Sequence, residues 1–130
     1  MKINEDLLIG DSSISLSMLR PKVVYSNPTT SQDFSGQEIT IGTNWQNKYK
    51  YIEILYLLSK GSPCVYSTGK IPCLAGTGYH LDMMHNSVGN NFYSSRYVTK
   101  TNTGISVEDC YDSNNNKANN RCIPLIIYVY

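Results

Sequence analysis

The end of the chain, RCIPLIIYVY, constrains the fold more than any other stretch. Successive side chains of an extended strand point to opposite faces, and here both faces would be almost entirely apolar. One face would carry Ile123, Leu125, Ile127 and Val129, and the other Pro124, Ile126, Tyr128 and Tyr130. A strand with one face in water normally alternates apolar with polar residues. We therefore expect this strand to be central in a sandwich or to have its second face covered by another subunit.

Residue usage along the rest of the chain also favours strands. Alanine occurs only at Ala75 and Ala118, whereas tyrosine occurs 11 times and isoleucine, valine and threonine are plentiful. Glycine, proline and asparagine break the chain at short intervals, as turns require. The pattern predicts an all-β, antiparallel, β-sandwich-like fold with a short N-terminal strand segment. The predicted strands are 12–19, 22–25, 38–42, 50–58, 81–89, 90–100, 105–112 and 121–130.

A polar linker without periodicity, residues 26–37, suggests how the chain is organised. We predict an N-terminal segment with its linker over 1–37 and the main sandwich domain over 38–130. The total of 130 residues suits one ordinary domain.

The charge content argues against two classes of partner. The formal net charge is +1, so no basic excess points to nucleic acid or to an anionic membrane. The apolar run at 122–130 is about half of the ~20 residues that a membrane-spanning helix needs. The start, MKINEDLLIGD, lacks the long apolar core of a signal peptide. We expect no nucleic-acid partner and no membrane insertion.

Four cysteines stand at Cys64, Cys73, Cys110 and Cys122. Each neighbouring pair brackets a turn-like segment, CVYSTGKIPC or CYDSNNNKANNRC, and a hairpin could bring either pair together. The absence of a visible export signal favours reduced thiols at synthesis. Disulfides formed later, outside the cell, are the alternative.

No motif in the chain predicts catalysis. STGKI, at 67–71, lacks the spacing of a phosphate-binding loop, and His80 and His85 are not spaced as a zinc-protease pair. No close cysteine pair suggests structural zinc. The carboxylates are scattered, although a glycosidase pair could still meet in space. We predict no enzyme activity, no cofactor and no metal.

Aromatic residues provide the candidates for binding. The stretch 38–58 holds the only tryptophan and reads as a hairpin, with Trp45 packing over it. Tyrosine can stack on sugars and offers a hydroxyl group, but strand tyrosines also pack at sheet edges and subunit interfaces. The candidate ligand or interface residues are Trp45, Tyr49, Tyr51, Ile126, Tyr128 and Tyr130.

Two segments resemble the head domains that end many phage tail fibres, receptor-binding proteins and appendages. The first, ITIGTNWQNKYKYIEILYL, has the family's order of glycine, tryptophan, polar turn, lysine and strand tyrosine: Gly42, Trp45, Asn47, Lys48, Tyr49 and Tyr51. The family's turn usually contains Asp-Gly, which this chain lacks. The second, 105–130, is similar to the strand, polar loop and final strand that close such heads. Residues 2–16 are similar to the junction of shaft and head, and residues 59–99 match nothing.

This resemblance implies a homotrimeric, β-rich virion protein, with 1–37 as a shaft-like segment and 38–130 as the head. It would assemble in the host cytoplasm and act outside the cell, in host-surface attachment or virion decoration. Its partners would be other virion proteins and a host-surface glycan. A trimer axis would also bury the second face of the last strand. A monomeric bacterial carbohydrate-binding or adhesin β-sandwich is the alternative.

Overall fold

A computed structural model describes residues 6–9, 12–15, 20–74, 83–87 and 92–130, and it describes the side chains of 20–74, 83–84 and 93–130. The predicted all-β, sandwich-like fold is confirmed, since nearly all the regular structure is antiparallel strand. The strands are β1 (Asp6–Ile9), β2 (Ser12–Ser15), β3 (Lys22–Ser26), β4 (Gln37–Thr40), β5 (Tyr51–Ser59), β6 (Val65–Ser67), β7 (Ile71–Pro72), β8 (Met83–Ser87), β9 (Phe92–Lys100), β10 (Gly104–Asp112) and β11 (Arg121–Val129); one helical turn, α1, spans Trp45–Lys48.

Two sheets form the main body. The four-stranded sheet has the order β4-β10-β9-β8. The larger sheet has the order β3-β11-β5-β6, with β7 also paired to β5. Strands β1 and β2 form a separate two-stranded pair. The predicted strand over 12–19 is thus strand over Ser12–Ser15, and residues 16–19 lie outside the described residues.

The last strand, β11, is central in its sheet, between β3 and β5. Ile123, Ile127 and Val129 are buried in the core, as predicted. The strict alternation fails at two positions: Pro124 is buried and Leu125 is only half-buried. The register against β5 shifts between Pro124 and Ile126, and this irregularity turns the intervening residues away from their expected faces.

The hairpin predicted over 38–58 is not formed. Strand β4 pairs with β10 in one sheet, whereas β5 pairs with β11 in the other. The chain crosses between the sheets through α1, which follows Asn44 in a left-handed conformation (φ 57°). The Trp45 side chain is therefore inside the sandwich rather than over a hairpin.

Strand β10 carries an irregularity that changes which residues it buries. Continuous alternation would place Asp109 on the face of Ile105 and Val107, with Cys110 on the opposite face. The register against β9 shifts between Val107 and Cys110. As a result Ile105, Val107 and Cys110 are all buried, and Asp109 lies nearer to solvent.

Arginine 96 joins the two sheets from within the core. Its side chain is fully buried on β9. Its Nη1 donates to the carbonyl oxygen of Glu108 at 2.7 Å, in the same sheet. Its Nε and Nη2 donate to the carbonyl oxygens of Cys122 at 2.9 Å and Arg121 at 3.0 Å, in the other sheet. Burial lowers the pKa of Arg96, and the three carbonyls stabilise the buried guanidinium.

Residues 20–37 contribute to the main body of the fold. Strand β3 pairs with β11 from Ser26 to Lys22. Phe34 is buried in the core, and the Arg96 guanidinium lies 5.1 Å from its ring centroid. Strand β3 and Phe34, both before residue 38, thus belong to the sandwich. In the part of the chain that the structure describes, no helix is long and apolar enough to cross a membrane.

Candidate functional site

The outer face of the four-stranded sheet presents a group of large exposed side chains. On β9, Tyr93, Ser95 and Tyr97 alternate outward, because Ser94, Arg96 and Val98 point into the core. Ser95 pairs with Met84 on one neighbouring strand and with Tyr111 on the other. We call this group the tyrosine platform: Met84, Tyr93, Ser95, Tyr97 and Tyr111.

Sheet geometry sets the shape of the tyrosine platform. Directly paired residues have Cβ atoms about 5 Å apart, so Met84 and Tyr111 flank Ser95 closely. Tyr93 and Tyr97 are four residues apart on β9, which corresponds to about 13 Å. The four large side chains are between 40% and 52% exposed. The small Ser95 thus lies at the centre of a group of three tyrosines and one methionine.

An open groove of about 410 Å³ adjoins the tyrosine platform and shares Tyr111 with it. We call it the acidic groove. It runs between β4 and β10 and is lined by Gly36, Gln37, Glu38, Ser106, Val107, Glu108, Asp109 and Tyr111. The side chains of Glu38 and Glu108 are exposed, and among the described residues neither carboxylate has a hydrogen bond or ion pair. Both are available to accept hydrogen bonds from a ligand.

The third acid of the groove, Asp109, has a structural role. Its Oδ1 accepts hydrogen bonds from the Gly36 backbone N–H at 2.7 Å and from Asn119 Nδ2 at 2.9 Å. Its Oδ2 lies 2.9 Å from the Lys117 ammonium. The Gly36 hydrogen bond, followed by those from Lys117 and Asn119, lowers the pKa of the Asp109 carboxyl group well below its usual value. Asp109 thus anchors the groove wall and the loop after β10.

The lowered pKa of Asp109 predicts a loss of stability in acid. Ionised Asp109 stabilises the fold above the pKa of the unfolded chain, about 3.9, and this contribution disappears as the pH falls. We expect Asp109→Asn to flatten the decline in unfolding free energy between about pH 5 and pH 2. Urea denaturation across that range measures it. Asp33→Asn, in an exposed ion pair with Lys60, is the control and should retain the wild-type slope; equal slopes for all three proteins would contradict this role.

The predicted candidate Trp45 lies in the core. It is fully buried, and its Nε1 donates to the Thr101 carbonyl oxygen at 2.9 Å. Both faces of the indole are covered by protein, so Trp45 has no surface on which a ligand could stack. Its role in the described structure is to pack the crossing between the sheets.

The other candidates from the same stretch lie close together. Tyr49 and Tyr51 line a second open groove of about 410 Å³ that also includes Cys73. Tyr49 is half-buried, and its hydroxyl accepts a hydrogen bond from Lys22 Nζ at 3.2 Å. Tyr51 is exposed. This groove therefore offers one exposed aromatic ring, compared with three on the tyrosine platform.

The candidates on the last strand face outward from the larger sheet. Ile126 and Tyr128 are half-buried, and Ile126 pairs with Leu55. Tyr130 follows the strand, and its hydroxyl donates to Glu53 Oε1 at 2.6 Å. That hydrogen bond raises the pKa of Tyr130 to about 12 and lowers the pKa of Glu53. Tyr130 also donates its backbone N–H to the Tyr51 carbonyl oxygen at 2.9 Å, so this outer face adjoins the groove of Tyr49 and Tyr51.

The tyrosine platform is the feature that sequence reasoning missed. Its signal was the pattern YSSRY, in which Tyr93, Ser95 and Tyr97 must share one face of a strand. The partners Met84 and Tyr111 carry no such signal, because strand pairing alone brings them beside Ser95.

The structure describes few groups suited to catalysis or metal binding. Among the described residues, no cluster of three or more histidine, cysteine, aspartate or glutamate side chains could hold a metal ion. His85 lies on β8 with its side chain outside the described residues, and His80 is outside them entirely.

Comparison with known proteins gives no relative from which a function could be transferred. No protein-family model, no curated protein and no solved structure matches this chain. Its function must accordingly be inferred from the geometry of its surfaces.

Proposed function

We propose that this protein is a non-enzymatic attachment module that binds a neutral carbohydrate on the tyrosine platform and the adjoining acidic groove. The observation that carries the proposal is the grouping of three exposed tyrosines and a methionine around Ser95, next to two carboxylates that have no partner among the described residues.

The chemistry of both surfaces suits sugar rings. Tyrosine presents a rigid aromatic face to the apolar C–H face of a pyranose, and its hydroxyl can bond a sugar hydroxyl. The carboxylates of Glu38 and Glu108 accept hydrogen bonds from sugar hydroxyls, and charged acceptors form the stronger bonds. The same negative charges would repel sialylated or phosphorylated glycans, which favours a neutral ligand.

The position of the tyrosine platform on a sheet supports recognition. Strands β9 and β10 hold the three aromatic rings, and β8 holds Met84, at spacings that need little adjustment on binding, so little entropy is lost. The distance of about 13 Å between Tyr93 and Tyr97 suits an oligosaccharide better than a single sugar. A shallow site of this kind binds weakly alone and gains strength from several copies.

For the biological setting, we propose a trimeric phage fibre or appendage whose heads attach to a host-surface glycan. The resemblance of residues 39–57 and 105–130 to fibre heads supports this setting. The outer face of β11 and its neighbours also supports it, since Val23 is exposed and Leu55 and Ile126 are half-buried there. Assembly and attachment would then use opposite faces of the sandwich. A monomeric bacterial carbohydrate-binding module remains the second candidate, supported by the same tyrosine platform.

The two settings predict different masses in solution. Fibre heads should be trimeric, and Ile126→Lys should convert the trimer to folded monomer, because an unpaired charge in the interface costs several kcal/mol. Light scattering coupled to gel filtration measures the mass, and circular dichroism checks the fold. Glu108→Lys, on the opposite face, is the control and should leave the trimer intact. A monomeric wild type would support the bacterial module, and an unaltered Ile126→Lys trimer would refute this interface.

The binding site can be tested with one tyrosine from each groove. On an array of neutral and anionic glycans, we expect the wild type to bind neutral oligosaccharides. Tyr111→Ser should weaken that binding about tenfold, since one aromatic contact contributes about 1 kcal/mol and its area burial adds to this. Tyr51→Ser is the matched control, because both tyrosines are exposed to a similar extent, 40% and 42%.

Three outcomes would refute this assignment. Binding lost in Tyr51→Ser but kept in Tyr111→Ser would place the ligand in the groove of Tyr49 and Tyr51. Binding of anionic glycans alone would contradict the part assigned to Glu38 and Glu108. Binding of no glycan by a folded, assembled protein would overturn the attachment function.

A further inference from the structure

Two buried cysteines from different sheets meet in the core. Cys110 lies on β10 of the smaller sheet and Cys122 on β11 of the larger one, and both are fully buried. Cys110 is paired with Arg96 on β9, and Arg96 Nε donates to the Cys122 carbonyl oxygen at 2.9 Å, so the two cysteines are neighbours in the core. The Cys122 sulfur also lies 3.7 Å from the Ser94 carbonyl oxygen. Both thiols are reduced in this structure.

The other pair that the sequence left open cannot meet. Val65 pairs with Leu57, so Cys64 lies beside the C-terminal end of β5. Cys73 donates its backbone N–H to the Lys50 carbonyl oxygen, at the opposite end of β5. The positions on β5 beside which Cys64 and Cys73 lie are eight residues apart, which in an extended strand is about 26 Å. A disulfide requires Cα atoms within about 7 Å. A disulfide between Cys64 and Cys73 is therefore excluded.

We propose that Cys110 and Cys122 are a modification site: in an oxidising environment they form an intramolecular disulfide that crosslinks the two sheets. This disulfide is proposed from the contacts around the two cysteines and does not depend on the function proposed above. The bond would close the loop 113–120, whose Asn119 Oδ1 already accepts a hydrogen bond from the Cys110 backbone N–H. It would form beside Arg96, which contacts the Cys122 carbonyl oxygen.

A small-molecule disulfide such as oxidised glutathione can serve as the oxidant for this reaction. The Cys110 thiolate attacks one sulfur of the oxidant and releases one thiol. The Cys122 thiolate then attacks the Cys110 sulfur and releases the second thiol, so the protein loses two protons and two electrons to the oxidant. The hydrogen bond from Cys122, together with Arg96 and Arg121, lowers the pKa of Cys110, whereas the pKa of Cys122 is raised. Either order of attack gives the same net reaction, because each cysteine loses one proton and one electron.

Access to the buried pair sets when the reaction occurs. Both sulfurs are shielded from solvent in the closed sandwich. The exchange must therefore take place during folding or when the loop 113–120 opens. Once formed, the bond restricts the unfolded chain and should raise the thermal midpoint by on the order of 10 °C.

The test compares the whole chain refolded with oxidised glutathione and refolded with dithiothreitol. Peptide mapping by mass spectrometry without reduction should find a Cys110–Cys122 crosslink, with two hydrogens lost, in the oxidised sample alone. Thermal unfolding should show the higher midpoint in that sample. Cys64→Ser is the control and should keep the difference between the two conditions, whereas Cys110→Ala should abolish it.

The peptide map of the wild type decides the outcome even if Cys110→Ala does not fold. Free thiols at both positions in protein refolded under oxidising conditions would overturn the proposal. A crosslink from either cysteine to Cys64 or Cys73 in folded protein would also overturn it, as would identical midpoints in the two samples.

Discussion

Replacing Arg96 with methionine should lower the free energy of unfolding by about 3–5 kcal/mol. Methionine fills a similar length of space but donates no hydrogen bonds. The carbonyl oxygens of Glu108, Arg121 and Cys122 would lose a donor, and each unsatisfied buried acceptor costs about 1–3 kcal/mol. The loss is comparable with the whole stability of a marginal domain. Urea denaturation monitored by circular dichroism measures it.

Two further variants separate hydrogen bonding from the loss of charge. Arg96→Lys retains the charge but lacks the planar fork that reaches three carbonyls, so we expect an intermediate loss. Arg20→Met removes an exposed arginine and should change stability by less than about 0.5 kcal/mol. If Arg96→Met proved as stable as Arg20→Met, the bonds between the sheets would contribute nothing net, and the arginine would be only a tolerated core residue.

Replacing Trp45 with alanine should cost about 3–5 kcal/mol, because it removes a large, fully buried side chain and leaves a cavity. Trp45→Phe should cost less, since it keeps an aromatic ring but leaves the Thr101 carbonyl oxygen without the indole donor. Trp45 is the only tryptophan, so circular dichroism must follow unfolding in these variants. The wild-type fluorescence should itself show a buried indole that shifts to longer wavelength on unfolding.

A surface aromatic from the same stretch provides the comparison. Tyr51→Ala removes an exposed ring and should change stability by no more than about 0.5 kcal/mol. A Trp45→Ala protein as stable as Tyr51→Ala would show that the indole does not pack the core. Loss of glycan binding in Trp45→Phe, with stability retained, would restore Trp45 as a ligand residue.

The strands themselves could be read from the sequence with good accuracy. β3, β5, β9, β10 and β11 lie where alternation and β-branched or aromatic residues predicted them. These signals are local, since they depend on the pleat of one strand and on turn residues at its ends. The two-faced apolar character of the last strand predicted either a central position or a second face covered by another subunit, and the strand is central in its sheet.

Pairing between strands could not be read in the same way. The stretch 38–58 looked like a hairpin because two strand patterns flank polar residues. The best partner of β4 is β10, and the best partner of β5 is β11, both far along the chain. Such pairings depend on the fit of whole sheets rather than on the intervening turn. The predicted hairpin, with Trp45 packed over it, was wrong for this reason.

Strand β9 shows most directly which features the sequence pattern determines and which depend on tertiary contacts. Alternation by itself determined that Tyr93 and Tyr97 share one face and that Ser94 and Arg96 share the other. Hydrophobicity would have placed the tyrosines inside, but the structure buries Arg96 and exposes the tyrosines. Only the folded protein supplies the carbonyl oxygens of β10 and β11 that make a buried guanidinium tolerable, and these come from distant parts of the chain.

The same distinction applies to the candidate site. The sequence by itself determined an all-β chain, the positions of most strands and the residues that can share a face, because these depend on neighbouring residues. The tertiary structure alone decided which face is buried, which tyrosines surround Ser95 and which cysteines meet. Those outcomes depend on contacts between residues far apart in the chain, and their energies exist only after both sheets have formed.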